Sequence, residues 1–304
     1  VRENMRAYDL FCGAGGASNA IRDHGFNVTG FDNWGDACMT QNANGHDVVL
    51  ADLFEHEWGD EQVDFIWASP PCQPFTKSGN RLGKNDERDG MPAFIRALRE
   101  VRPPMFMMEN VKGLVSDRTL NGYLQENLDH MKDLGYHLQF RVIDAADFGI
   151  PQRRERLFIV GSQNKLCFEW PKPTVEKHVT LAEAMGWNVD DLVGFPRKYD
   201  GRGKDFYGYR ARDLINCDRP AHTVTGKCRS LSRWNKDGTC HRITVEEIAK
   251  LQDFPEGYVF IGSQTSQYTQ IANAVPYRMA KVMLDAVFPD MAKAPVQSGA
   301  LAGS

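Results

Sequence analysis

The chain has 304 residues, 42% of them hydrophobic and 25% charged, and a formal net charge of −4. That length buries a sizeable core, as one large domain or two unequal ones, and the composition is that of a soluble globular protein. No apolar run approaches a membrane span and no leader is expected before Tyr8. Seven scattered cysteines without CxxC or His-spaced patterns argue against zinc or a disulfide framework and point to a reducing compartment.

Ala7-Tyr8-Asp9-Leu10-Phe11 reads as a first strand, running into Cys12-Gly13-Ala14-Gly15-Gly16-Ala17-Ser18 and a helical stretch to about His24. Strand, glycine turn and helix is the layout of a nucleotide-type cofactor loop, because glycines let the backbone approach a ligand and aim N–H groups at it. The GxGxxG spacing itself is not met. A second strand at 27–31 ends at Asp32, placed where an acid accepts hydrogen bonds from ribose hydroxyls. A third at 47–50 leads to Asp52-Leu53. Three strands ending in polar or glycine residues predict a cofactor cleft.

The fourth strand, Val63-Asp64-Phe65-Ile66-Trp67, runs into Ala68-Ser69-Pro70-Pro71-Cys72-Gln73-Pro74-Phe75. The prolines make this a stiff elbow that is neither helix nor central strand. A lone cysteine is more often structural than reactive, and the stretch by itself leaves both readings open. Residues 76–84 are polar, basic and glycine-containing.

A helix is predicted over 92–101, stopped by Pro103-Pro104. Met105-Phe106-Met107-Met108 reads as a buried strand ending in Glu109-Asn110-Val111. A carboxylate there is costly to bury without a task or a partner. An amphipathic helix over 120–134 and a strand over 137–143 follow. Next comes Gln152-Arg153-Arg154-Glu155-Arg156, either a solvated turn or an anion or base-edge clamp. The last strand of this body is 157–161.

From Ser162 the alternation stops. Residues 187–242 have no long periodic run and read as a small irregular second domain. Between Arg197 and Arg242 stand twelve Lys/Arg against five Asp/Glu, so an otherwise acidic chain carries one basic segment, interleaved with Phe206, Tyr207, Tyr209 and Trp234. That distribution suits a polyanion bound on one face. Thr244 with Glu247 reads as a capping box, and a final helix is predicted over 276–287. The expected organisation is an α/β fold with a mostly parallel, doubly wound sheet. Residues 1–186 with 243–290 form the body, 187–242 the second domain and 291–304 a flexible tail.

Taken together, these stretches resemble the C5-cytosine DNA methyltransferase family from about residue 7 to 287, in that family's motif order. Residues 9–18 resemble its cofactor motif, Pro70-Pro71-Cys72-Gln73-Pro74-Phe75 its nucleophile motif, Glu109-Asn110-Val111 its glutamate motif and 152–156 its arginine motif. Arg219-Pro220-Ala221-His222-Thr223-Val224 and Gln270-Ile271-Ala272-Asn273-Ala274-Val275-Pro276 resemble its last two. Thr76 stands where the family usually has Ser, and Ala272 where it usually has Gly. The 57 residues from 162 to 218 are few for a recognition region in this family.

The resemblance implies a Rossmann-like methyltransferase fold with a small target-recognition domain. It implies transfer of a methyl group from S-adenosylmethionine to C5 of a cytosine flipped out of duplex DNA, with no metal. Cys72 would be the nucleophile that adds to C6, Glu109 the group at N3, and Arg154 and Arg156 the holders of O2. Phe11 would contact adenine and Gly13, Ala14 and Gly16 would line the methionine part. Asp32 and Asn33 would meet the ribose, Asp52 the adenine amine and Leu53 its ring, with Pro70, Asn273 and Ala274 completing the cofactor pocket. Residues 76–90 would form a lid hinged at Gly79, Gly83 and Gly90. DNA contacts would come from Lys77, Ser78, Arg81, Arg88, Arg197, Lys198, Arg210, Arg212, Thr223, Lys227, Arg229 and Arg233. The expected enzyme is a monomer with no membrane association, prokaryotic or phage-encoded and acting in the cytoplasm. The competing readings are an RNA (tRNA) cytosine-5 methyltransferase on the same scaffold and a non-catalytic DNA-binding relative.

Overall fold

The first half of the chain alternates strand and helix. In the computed structural model β1 (Arg6–Leu10) leads to α1 (Gly16–Asp23), β2 (Asn27–Asp32) to α2 (Gly35–Ala43), and β3 (Asp47–Leu50) to β4 (Phe65–Ala68). Then come α3 (Met91–Val101), β5 (Met105–Val111), the single turn α4 (Gly113–Ser116), α5 (Asn121–Asp133), β6 (His137–Asp144) and β7 (Glu155–Ser162). The second half holds α6 (Leu181–Met185), β8 (Leu192–Gly194), β9 (Ile215–Asn216), β10 (Ser232–Trp234), β11 (Cys240–Arg242), α7 (Val245–Leu251), α8 (Gln264–Asn273) and α9 (Tyr277–Val287). The structure describes residues 5–71, 89–116, 121–194, 214–235, 237 and 239–291. Cys72, Lys77, Ser78, Arg81, Arg88, Arg197, Lys198, Arg210, Arg212, most of the expected lid and nearly all of the expected tail lie outside them.

The main sheet has the order β3-β2-β1-β4-β5-β7-β6. β1 through β5 are parallel, whereas β7 runs antiparallel to both β5 and β6. Successive side chains of a strand point to opposite faces, and the central strands bury both. Ile66, Phe106, Met108, Leu157 and Ile159 join α3 and α5 in one core cluster. Phe65, Trp67, Met107, Phe158 and Val160 join α1 and α9 in the other. This explains why β4 and β5 read as unbroken apolar runs. The sheet reverses direction beside β1, where β2 lies on one side and β4 on the other, so a cleft opens beyond the strands' C-terminal ends there.

A second sheet, β11-β10-β8-β9, packs with α7 and α8 over a third cluster that includes Val193, Ile215, Val224, Ile248, Leu251 and Ile271. Residues 187–242 are thus more regular than expected. Their strands are two or three residues long, too short for alternation to show. The α2 and α8 helices were also not expected from the sequence. Neither carries a strong apolar stripe, and both are held by tertiary contacts, such as the Thr40 hydroxyl donating to Gln270 Oε1 at 2.7 Å. The Thr244–Glu247 capping box is present as expected, and a second one joins Thr180 and Glu183.

Candidate active site

A cavity of about 540 Å³ occupies the cleft at the C-terminal ends of β1, β2, β4 and β5, a size suited to a small-molecule ligand. Nine of the expected cofactor residues share its wall: Phe11, Gly13, Asp32, Asn33, Asp52, Leu53, Pro70, Asn273 and Ala274. Glu109, Arg154 and Arg156 border the same space.

Two of the expected cofactor residues, Ala14 and Gly16, do not reach this wall. Ala14 is fully buried in the third cluster, and its carbonyl accepts the Tyr258 hydroxyl at 2.6 Å. Gly16 begins α1 against the turn after α8, and a Cβ there would stand 2.2 Å from the Val275 carbonyl oxygen. Neither lines the cavity. Glycine is required at 16 for helix-to-turn approach, which brings Asn273 and Ala274 onto the wall.

The β1–α1 loop is held from both sides. The Gly13 amide donates to Asp32 Oδ2 at 2.8 Å, and the Trp34 amide to Asp32 Oδ1 at 2.9 Å. Burial pushes Asp32 up from the ordinary carboxylate range, and these backbone bonds oppose it. Phe11 adopts φ 57°, a left-handed conformation uncommon for a bulky residue. Backbone bonds from Ser69 to Leu10 and from Cys12 to Phe31 pin it there, and such strain concentrates at ligand sites. Asp9, 1% exposed, accepts the Ser18 hydroxyl at 2.6 Å with Oδ2, whereas its Oδ1 has no partner although it borders the cavity. Burial raises Asp9 to about 7.

At the other end of the cavity, Glu109 comes from β5, two strands from β1, and Arg156 from its antiparallel neighbour β7, where Arg156 is paired in register with Val111. Arg156 Nε donates to Glu109 Oε1 at 2.9 Å, with side chains 13% and 9% exposed. Burial raises Glu109 more than the Arg156 and Arg154 charges lower it. A carboxyl so placed holds its proton more tightly than a free glutamate does and still faces a cation. Next along β5, Asn110 donates from Nδ2 to the Pro70 carbonyl at 3.1 Å, tying the proline elbow beside Glu109.

Arg154, expected on O2, borders the cavity but is held mainly by backbone. It is 2% exposed, and its terminal nitrogens donate to the carbonyls of Val224 (3.2 Å), Ala272 (3.2 Å) and Ala274 (3.0 Å). Only Nε is left without a partner. Its guanidinium fastens the 221–224 segment and the turn after α8 to the body. Gln152 assists, donating to the Leu251 carbonyl and accepting the Val224 amide.

Of the described residues expected on DNA, Thr223 donates to the Arg153 carbonyl at 2.7 Å and lines a small polar cleft of mixed charge with Lys112, Asp144, Arg153, Glu155 and Arg156, in which Lys112 pairs with Glu155 at 2.6 Å. Lys227 and Arg229 are exposed. The Arg233 guanidinium lies over the Trp187 ring at 4.7 Å, with Nε 3.9 Å from Asp191. Wall residues that sequence reasoning missed include Asp9, Trp34, Phe54, Ser69 and Asn110. Asp9 carried a signal, an acid inside an apolar strand; Trp34 and Phe54 carried none beyond adjacency to Asn33 and Leu53.

The walls fit a cofactor that combines an aromatic base, a ribose and a cationic end. Phe11, Leu53, Trp34 and Phe54 offer apolar surface, and Asp32 and Asp52 offer acceptors. The orphaned Oδ1 of Asp9 awaits a donor, because a buried polar atom without a partner is costly.

Residues 5–194 and 196–288 match the family described as C-5 cytosine-specific DNA methylase. The chain is 31% identical to the Type II methyltransferase M.AplI of Arthrospira platensis, over 94% of this chain and 86% of that one. It is 30% identical to M.NgoMIV of Neisseria gonorrhoeae, over 90% and 94%. Among solved structures it resembles the Entamoeba histolytica methyltransferase EhMeth, with TM-score 0.70, 16% identity and coverage of 95% and 99%. The S. pombe Dnmt2 methyltransferase gives TM-score 0.68, 16% identity and the same coverage.

Proposed function

The chain belongs to the C-5 cytosine-specific DNA methylase family and is a DNA (cytosine-5-)-methyltransferase, and from that membership we propose how its residues divide the reaction. The observation that carries the proposal is the buried Glu109–Arg156 pair, which borders the cofactor-sized cavity next to the Pro70-Pro71 elbow.

Cytosine C5 is a poor nucleophile because the ring is aromatic and electron-poor at C6. Cys72 attacks C6 as a thiolate, which breaks the aromaticity and makes C5 enamine-like. Covalent catalysis thus replaces one hard step by easier ones. Negative charge moves toward N3, and Glu109 supplies a proton there, its raised affinity for that proton matching the task. Arg156 orients the Glu109 carboxyl and presents its remaining donors toward O2. When bound, S-adenosylmethionine would supply the electrophilic methyl group that C5 accepts, its sulfonium carbon–sulfur bond breaking to leave S-adenosylhomocysteine. Loss of the C5 proton and β-elimination then free Cys72.

Phe11, Asp32, Asn33, Asp52, Leu53, Pro70, Asn273 and Ala274 hold the cofactor in this reading. Gly13 acts through the bond that seats Asp32. C6 is closed off in a stacked duplex, so the base is flipped out, at about a few kcal/mol. Thr223, at the edge of the polar cleft, then meets the DNA backbone. Residues 1–186 with 243–290 form the catalytic body and 187–242 read the target. Lys227 and Arg229, with the basic residues outside the described set, supply DNA contacts. The enzyme acts as a monomer in the cytoplasm; the six described cysteines are all free, which suits a reducing compartment.

The test is covalent capture on a duplex carrying 5-fluorocytosine at the target, with S-adenosylmethionine present. The wild-type chain is expected to form a stable adduct, and Cys72→Ser neither adduct nor methylated product. Methylation retained by Cys72→Ser would remove the nucleophile assignment.

A further inference from the structure

The residue that precedes Cys72 is fixed by groups that the reaction does not use. The Pro71 carbonyl accepts the Gly90 amide at 3.2 Å, and the Pro70 carbonyl accepts Asn110 Nδ2 at 3.1 Å. Gly90 lies very close to this elbow. A Cβ there would stand 2.5 Å from Pro71 Cδ, 3.0 Å from Pro70 Cβ and 3.1 Å from Phe11 Cε1. Its φ of −75° is open to any residue, so space and not backbone freedom demands glycine. Gly90 is therefore packed directly against the elbow in this structure.

Gly90 caps α3, and the start of α3 is held by Asp89, which is 6% exposed. Asp89 Oδ1 accepts the amide of Met91, satisfying one of the helix's orphan donors. Its other oxygen accepts the hydroxyl of Tyr123, which comes from α5. The Tyr123 ring packs against the core cluster that α3 and α5 share, and the Tyr123 carbonyl is tied by Asn127 Nδ2 at 2.8 Å. Neither Tyr123 nor Asp89 is on the wall of the cavity.

We propose that the Tyr123–Asp89 bond is a positioning contact for the nucleophile. Tyr123 anchors the start of α3 to α5, Gly90 carries that anchorage to the Pro71 carbonyl, and the thiol belongs to the next residue. The peptide bond that leaves Pro71 is planar, so a hydrogen bond to the Pro71 carbonyl also orients the peptide group through which the next residue is attached. A small misplacement of a reacting group is enough to slow a step that depends on alignment. The inference rests on the reading of Cys72 as the nucleophile.

Tyr123→Phe keeps the ring and deletes the hydroxyl. In the full-length chain, the single-turnover rate of methyl transfer and the rate of 5-fluorocytosine capture are expected to fall about ten-fold, the kinetic worth of one hydrogen bond to a carboxylate. The dissociation constant for S-adenosylmethionine is expected to stay unchanged, as is KM for the duplex. Rates are taken at a temperature where the variant's circular dichroism matches wild type. Asp89→Ala breaks the same contact from the other side, and the double variant is expected to lose no more than the worse single one. A wild-type capture rate in Tyr123→Phe, a loss matched by weaker cofactor binding, or additive losses in the double variant would overturn the proposal. Cys72→Ser is run beside them. Activity in that variant defeats the nucleophile reading itself, whereas an inactive Cys72→Ser with a wild-type Tyr123→Phe removes only the positioning contact.

Discussion

Glu109→Gln separates charge from shape at the centre of the proposed chemistry. The substitution leaves a carbonyl oxygen where Oε1 accepts Arg156 Nε at 2.9 Å, but removes both the carboxylate charge and the transferable proton. Arg156 then keeps its bond from Nη1 to the Glu155 carbonyl at 2.8 Å, and its charge and that of Arg154 repel without the Glu109 anion between them. Deleting one partner of a buried ion pair costs about 3–5 kcal/mol. Glutamine preserves the hydrogen bond, so a loss of about 1–3 kcal/mol is expected, read as a drop of several degrees in Tm. The kinetic loss should be larger. A positioned general acid contributes about 10²–10⁴ in rate, or about 3–5 kcal/mol of barrier. Because burial raises Glu109, the wild-type rate should fall as pH rises through that raised value and the proton is lost. The variant should show a low rate without that alkaline limb. The assay is single-turnover methyl transfer to a duplex across pH, with cofactor affinity measured separately by calorimetry. A rate near wild type, or an alkaline limb that survives the substitution, would refute Glu109 as the proton donor.

Gly16→Ala should destabilise the cofactor-free chain by about 1–3 kcal/mol, because the new Cβ meets the Val275 backbone oxygen at 2.2 Å and backbone cannot swing aside. Cofactor affinity should fall with it, since the displaced turn carries Asn273 and Ala274; an unchanged Tm without cofactor would return Gly16 to the cavity wall. Asp9→Asn should alter stability in a pH-dependent way. With Asp9 raised to about 7 in the fold against an ordinary 3.8, the folded chain binds more protons than the unfolded one between those values, so this group's contribution falls as pH rises from about 4 to about 7. The variant should therefore match wild type near pH 4 and exceed it in Tm near pH 8, and parallel Tm profiles would show that Asp9 is not buried as an acid.

The main sheet was legible because its evidence is local. Doubly buried strands such as β4 and β5 show as apolar runs, a capping box shows at Thr244 and Glu247, and motif order alone raised Cys72, Glu109 and the arginines above their individual ambiguity. The second sheet was not legible, because strands of two or three residues hold too few side chains to display a period and draw their bonds from distant partners. The α2 and α8 helices were missed for a related reason, since contacts such as Thr40 to Gln270 hold them where no apolar stripe announces them.

Residue type and order determined which groups this protein has for its chemistry: a thiol after two prolines, an acid at the end of an apolar strand, and arginines spaced two apart. What each polar group does once buried was decided only by the tertiary structure. A guanidinium must spend its donors on whatever acceptors pack around it. Arg154 found three backbone carbonyls and became a fastener, Arg233 found Trp187 and Asp191, and Arg156 alone found the carboxylate of Glu109. Sequence spacing cannot distinguish these fates, because the partners come from segments up to 120 residues away.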